Sequence, residues 1–285
     1  MDGISKAFPS IPSPAILQAM ERFEFQDIEG LRVGKYPYKL NTACILYRLG
    51  NTLIDTGPPN MWKVVQKFVS ERDVNQILIT HHHEDHGGNA GPIQRQANCE
   101  VLIHENGLTP MRDGFLMELY RKIVWGRPEK VEAKPWQGEM NLSNGMTLIP
   151  YYTPGHSDDS SCYLEPNRGW LFSGDLYIVS RPHSMRYDEN PWDLINSLEN
   201  LLHCDFEVLF CAHRGVVSNG KQAIQSKLNF LRELGESILE LHERGYSQKA
   251  ITRKLLGKED LLALITYYTF SKQNFVKNFL AHRRK

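Results

Sequence analysis

The sequence predicts an α/β fold built in layers, and three observations carry this. Short apolar runs rich in β-branched residues, such as Gln76-Ile77-Leu78-Ile79-Thr80, read as buried strands. Segments between them repeat apolar residues at helical spacing, as Trp62, Val65, Phe68 and Val69 do. The two kinds alternate along most of the chain, which is what sheets covered by helices require.

Taken in order, residues 1 to 24 read as a proline-containing arm and a short amphipathic helix. Residues 26 to 57 read as strands, with Gly50-Asn51 turning between Ile45-Leu46-Tyr47 and Leu53-Ile54. Residues 60 to 71 form the first packed helix; a strand, a loop and the strand Val101-Leu102-Ile103 follow. Residues 105 to 140 break this rhythm, mixing Met111, Phe115, Met117, Tyr120, Trp125 and Trp136 with Arg112, Arg121, Lys122 and Arg127. One reading is a helix packing an apolar stripe on the layers. The other is a wall over a functional site, able to take an apolar acyl chain or to stack bases. Residues 219 to 243 repeat Ile224, Leu228, Leu231, Leu234, Ile238 and Leu241 as a long amphipathic helix ended by Gly245. Ser247 and Ser271 are placed as N-caps of two further helices. The chain therefore divides into residues 1 to 218 and a small C-terminal helical region, 219 to 285, of winged-helix-like size.

Composition narrows the function classes. The 285 residues carry 33 basic and 33 acidic side chains, so no global field selects a nucleic acid, and the length allows a substantial core. No apolar run approaches the ~20 residues of a membrane span, and the N-terminus lacks a basic segment leading into an apolar one. No membrane partner is expected. Cys44, Cys99, Cys162, Cys204 and Cys211 are odd in number and lack close pairing, so they read as reduced, mostly buried thiols of a cytoplasmic protein. From Gly245 onward nine basic residues face only Glu259 and Asp260, which suits an anion-binding appendage or a solvated cap.

The densest chemistry lies in Thr80-His81-His82-His83-Glu84-Asp85-His86-Gly87-Gly88. Imidazole and carboxylate together are the ligand set of zinc, manganese or ferrous iron, and a cation holds crowded histidines neutral. His81 and His83 share one side of an extended chain, while Asp85 and His86 lie past the bend. One loop can thus serve two neighbouring ions but completes neither shell. Ligand-capable residues beside glycine recur at other strand ends: Asp55 before Gly57, His156 after Gly155, Asp175 after Gly174 and His213 before Gly215. Cys211 reads as core rather than ligand, from its place within a strand.

Asp55, His81-x-His83-x-Asp85-His86, His156, Asp175 and His213 resemble, in order, the five motifs of the metallo-β-lactamase superfamily. The resemblance spans residues 25 to 218. It implies a four-layer αββα sandwich with the site at one edge. It implies two divalent ions, zinc by preference, with manganese or iron also compatible: His81, His83 and His156 on the first, Asp85, His86 and His213 on the second, Asp175 bridging. Asp55 would orient the ligand loop. Aspartate at 175 departs from the cysteine of the best-known zinc β-lactamases and matches the thioesterase, glyoxalase II and ribonuclease branches. His83 departs from the glutamate of the diiron oxygen reductases. The form His156-Ser157-Asp158-Asp159 resembles the lactamase-like protein 2 endoribonucleases and a quinolone-response thioesterase. The interval from Asp175 to His213 is too short for a β-CASP insertion.

The implied activity is hydrolysis by a metal-bridging hydroxide, with Asp85 as ligand and proton acceptor. An ester or thioester is the first substrate class and single-stranded RNA the second. A mononuclear iron persulfide dioxygenase and a ligand-sensing regulator are the third and fourth functions that the resemblance allows. A homodimer is a further partner expectation. Tyr177, Arg181, His183, Arg186 and Tyr187 are candidate substrate contacts, with Tyr177 or His183 protonating the leaving group.

Overall fold

The structure, a computed structural model, describes residues 20–35 and 42–283. The arm and helix expected over residues 1 to 24 lie largely outside these. Where the described chain starts, the expectation is corrected: Met20–Phe25 is a strand, because Phe23 and Phe25 alternate with Arg22 and Glu24 at a period of two.

Two mixed sheets stack face to face. The first runs β1 (Met20–Phe25), β2 (Ile28–Gly34), β3 (Ala43–Leu49), β4 (Thr52–Ile54), β5 (Gln76–Leu78), β6 (Glu100–Ile103) and β7 (Lys134–Pro135). Its first four strands pair antiparallel and its last four parallel. The connections explain the change. Gly50, at φ 57°, allows a tight hairpin turn, whereas α1 (Trp62–Val69) and α2 (Ala90–Ala97) carry the chain back for parallel pairing. The second sheet runs β14 (Gly215–Val217), β13 (Val208–Cys211), β11 (Trp170–Gly174), β10 (Ser161–Glu165), β9 (Thr147–Tyr152) and β8 (Met140–Asn141).

The layers follow from what each face buries. Ile45, Tyr47, Leu78, Tyr163, Phe172 and Phe210 pack between the sheets, and the Phe172 and Phe210 rings stack at 4.6 Å. Val65, Phe68 and Ile93 cover the outer face of the first sheet against Leu31, Leu46 and Val101. On the outer face of the second, α5 (Pro191–Leu202), α6 (Gly220–Glu243), α7 (Gln248–Leu255) and α9 (Lys272–Ala281) pack Leu198, Ile224, Leu228, Ile251 and Phe275 against Leu171 and Leu209. The result is the αββα order. The C-terminal helices share that outer core with the second sheet.

Ser247 and Ser271 cap α7 and α9, accepting from the N–H groups of Ala250 and Asn274. Residues 105 to 140 do not form one helix. They break into α3 (Leu108–Asp113) and α4 (Leu119–Val124), separated by Gly114 at φ 83°, and then run extended to β7. A two-stranded ladder joins β12 (Met185–Arg186) to β15 (Phe270–Ser271), just after α8 (Leu261–Ile265), and ties the loop after Asp175 to the C-terminal region. Among the described residues no helix is long and apolar enough to cross a membrane.

Candidate metal centre

Strand ends build the centre. Asp55 follows β4, the histidine loop follows β5, His156 lies beyond β9, Asp175 directly follows β11 and His213 follows β13. The backbone is specialised at three of these ends. Asp55 itself adopts φ 58°, a conformation that costs a non-glycine residue and that aims its carboxylate at the loop. Gly155 sits at φ 131° against the backbone of Leu194, where any Cβ would collide, so the chain passes close under α5 to present His156. A register shift between Phe172 and Gly174 re-aims the end of β11 just before Asp175.

Two groups of donor atoms result. His83 Nδ1 lies 3.0 Å from His81 Nε2 and 3.1 Å from His156 Nε2. Opposite them, His213 Nε2 is 3.6 Å from Asp85 Oδ2, and His86 Nε2 is 3.9 Å from the same oxygen. Asp175 stands between. Its Oδ1 is 3.0 Å from His213 Nε2 and 3.3 Å from His86 Nε2, and its Oδ2 is 3.4 Å from His156 Nε2. Tetrahedral zinc with bonds near 2.0–2.1 Å spaces its ligand atoms by about 3.3 Å, so these separations fit a cation. His86 Nε2 and Asp175 Oδ1 are buried and make no hydrogen bond, the condition that a bound cation relieves.

The outward ring nitrogens are anchored. His86 Nδ1 meets Asp55 Oδ2 at 2.7 Å, His213 Nδ1 meets the Ala43 carbonyl at 2.6 Å, His156 Nδ1 meets Glu189 Oε1 at 3.0 Å and His81 Nδ1 meets Thr80 Oγ1 at 3.1 Å. A proton on each of these Nδ1 atoms leaves the Nε2 lone pair facing inward. Asp55 also accepts from the backbone N–H and hydroxyl of Thr80, at 2.8 and 2.9 Å.

Burial pushes the His81 and His83 imidazoles well below the ordinary histidine range, so both offer neutral lone pairs. At His86 and His213 burial again opposes charge, but facing acidic groups outweigh it. Those groups are Cys44, Asp175 and Asp55 at His86, and Asp175 and Asp85 at His213. The Cys44 thiol is itself pushed up by burial and stays neutral, so the carboxylates carry the effect. Burial raises Asp175, yet His213 and His86 hold it well below the usual carboxylate range. A cation entering this side therefore displaces protons.

Residues 39–213 match the metallo-beta-lactamase superfamily. The chain belongs to that superfamily. It is 25% identical to an atrochrysone carboxyl ACP thioesterase of Passalora fulva, over 67% of this chain and 54% of that protein. It is 30% identical to a hydroxyacylglutathione hydrolase of Pseudomonas savastanoi, over 51% of this chain and 50% of that protein. The chain spans about half to two thirds of the length of the first curated relatives it matches, 52%, 65% and 54%. A metallo-beta-lactamase family protein from Thermus thermophilus superimposes with a TM-score of 0.66 at 21% identity, covering 90% of this chain and 92% of that one.

In this metallo-beta-lactamase fold the middle histidine of the run turns aside. His82 bonds Asp159 through its backbone N–H (2.7 Å) and Nδ1 (2.9 Å), and Ser157 Oγ donates to the same carboxylate. The Ser157-Asp158-Asp159 run thus braces the ligand loop. Arg214 points to solvent, while its N–H and that of His213 donate to the Cys211 sulfur. Of the substrate-contact candidates, Tyr177 is buried in the core with its hydroxyl 3.1 Å from Ser180 Oγ. Arg186 is buried in an ion pair with Asp188. Arg181, His183 and Tyr187 are exposed.

Sequence reasoning missed several supports. Glu189 lies in the same loop as Arg181, His183 and Arg186, and only its place in that loop could have signalled it. Arg32 donates to the His213 carbonyl at 2.7 Å, and the buried Lys227 donates to the Leu176 carbonyl at 2.6 Å. Neither carries a local signal, because each acts on a backbone atom of a distant ligand-bearing turn.

Proposed function

We propose that this protein is a dinuclear metal-dependent hydrolase, with zinc as the native pair, acting on a thioester or carboxylic ester. The observation that carries the reading is the pair of donor groups on either side of the Asp175 carboxylate. His81, His83 and His156 would hold one ion, Asp85, His86 and His213 the other, and Asp175 both. When bound, such ions supply Lewis acidity toward an acyl oxygen and lower the pKa of water. The chain's own residues do the rest. Asp55, Glu189, Thr80 and the Ala43 carbonyl hold the imidazoles in one tautomer, so little reorganisation is left for turnover. Asp85 Oδ2, facing His213 and His86, is the proton acceptor in this scheme. Tyr177 is unsuited as leaving-group acid, because its hydroxyl is turned to Ser180 within the core; exposed His183 takes that role.

The names of two matched relatives, a thioesterase and a hydroxyacylglutathione hydrolase, support an acyl substrate. The test is elemental analysis followed by a panel of thioesters, esters, phosphodiesters and single-stranded RNA. Two zinc equivalents with acyl hydrolysis that disappears in a folded His83→Ala variant is the expected outcome. Cleavage of RNA alone, oxygen consumption with a single iron, or full activity in metal-stripped His83→Ala would overturn it.

A further inference from the structure

Exposed apolar side chains concentrate beside the metal centre. Among the described residues twelve large apolar side chains are exposed, and nine of them fall in two segments, 116–123 and 261–268. Leu116, Leu119 and Ile123 stand on α4 and the turn before it, with Leu116 98% exposed. Leu261, Leu264, Ile265 and Tyr267 stand on α8 and the turn after it, with Tyr267 80% exposed. The two segments meet, since Tyr120 of α4 lies beside Thr269 and the N–H of half-exposed Tyr187 donates to the Thr269 carbonyl at 3.1 Å. Both segments connect to the metal centre. Arg121 of α4 pairs with Glu84 of the ligand loop, and Glu189, two residues past Tyr187, bonds His156.

Scattered exposed leucines need no explanation, but a contiguous apolar face marks an interaction site. Its charges indicate the partner. Lys122 and Arg127 are exposed beside Ile123, and Lys258 is exposed ahead of Leu261. The acidic groups nearby are engaged within the fold. Asp260 caps α8, Glu259 accepts from the N–H groups of Lys272 and Gln273, and Glu118 faces Arg121. An apolar face with tyrosines and a cationic fringe suits the boundary of an anionic bilayer. A fluid lipid surface accepts protruding side chains such as Leu116 without a shape-matched pocket. A second copy docked about a two-fold axis presents this same patch, whose acidic groups are already engaged, and so offers the cationic fringe no complementary charge. We propose that the protein docks peripherally on anionic lipid through this face. Such docking needs no spanning helix and does not depend on the hydrolase reading.

The test is co-sedimentation of the full chain with vesicles of phosphatidylglycerol and phosphatidylcholine, against vesicles of phosphatidylcholine alone. Leu264→Glu/Tyr267→Glu is run in parallel, with circular dichroism and sedimentation velocity on both proteins. The expected result is binding to the anionic vesicles at least tenfold stronger than to neutral ones. That binding weakens at high salt and drops at least tenfold in the double variant, which stays folded and keeps its metal content. No preference for anionic vesicles would overturn the proposal. So would self-association that the same two substitutions abolish, which would assign the face to a second copy.

Discussion

Arg121 and Glu84 meet in a buried two-point ion pair, Nε donating to Oε1 at 2.8 Å and Nη2 to Oε2. Their side chains are 4% and 2% exposed, although Arg121 sits on a helix that otherwise shows Leu119 and Ile123 to solvent. Glu84 lies between His83 and Asp85, so the pair fastens the 105–140 segment onto the ligand loop. Removing one partner strands a buried charge. Arg121→Met should therefore destabilise the fold by about 3–5 kcal/mol, and adding Glu84→Leu should recover most of that loss. Urea denaturation of both variants measures it; a wild-type midpoint for Arg121→Met would contradict the account.

Asp55 fixes the His86 tautomer from a left-handed backbone position. Asparagine tolerates that conformation, so Asp55→Asn changes the charge and acceptor pattern and leaves the turn intact. Metal affinity should fall about 10–100-fold while the circular dichroism spectrum stays unchanged. Competition with a chromophoric chelator reads the affinity, and an unchanged value would remove Asp55 from the role assigned to it.

Gly155 places His156 by passing against the Leu194 backbone. Gly155→Ala must strain φ and push α5 away, costing more than about 1 kcal/mol and moving one donor atom out of the first group. Thermal melting and metal titration should both register the change. A melt and a titration like those of the unaltered protein would show that the approach is not obligatory.

Ending the chain at residue 218 would uncover the side of the second sheet that Ile224, Leu228, Leu231, Leu234 and Ile238 bury. Each such side chain contributes about 1.5–3 kcal/mol by burial, and the five together rival the ~5–15 kcal/mol total stability of a domain. The shortened chain should be insoluble or molten, judged by near-ultraviolet circular dichroism. A cooperatively folding 1–218 fragment would establish the C-terminal helices as a separable unit.

The sequence by itself determined what is local. Strand runs ending beside glycine announced the loops at which Asp55, His81, His156, Asp175 and His213 gather, because a short apolar run and a nearby glycine are readable without knowing the partner. The caps at Ser247 and Ser271 and the helix over residues 220–243 were legible for the same reason. Tertiary structure alone decided which distant atoms meet. Glu189 reaches His156 across 33 positions, Arg32 reaches the His213 carbonyl across 181 and Lys227 reaches the Leu176 carbonyl across 51. It also buried Arg121 and Tyr177 while leaving Leu116 and Tyr267 in solvent. Burial and hydrogen-bond partnership belong to pairs of surfaces, and no periodicity within a single segment encodes the second surface.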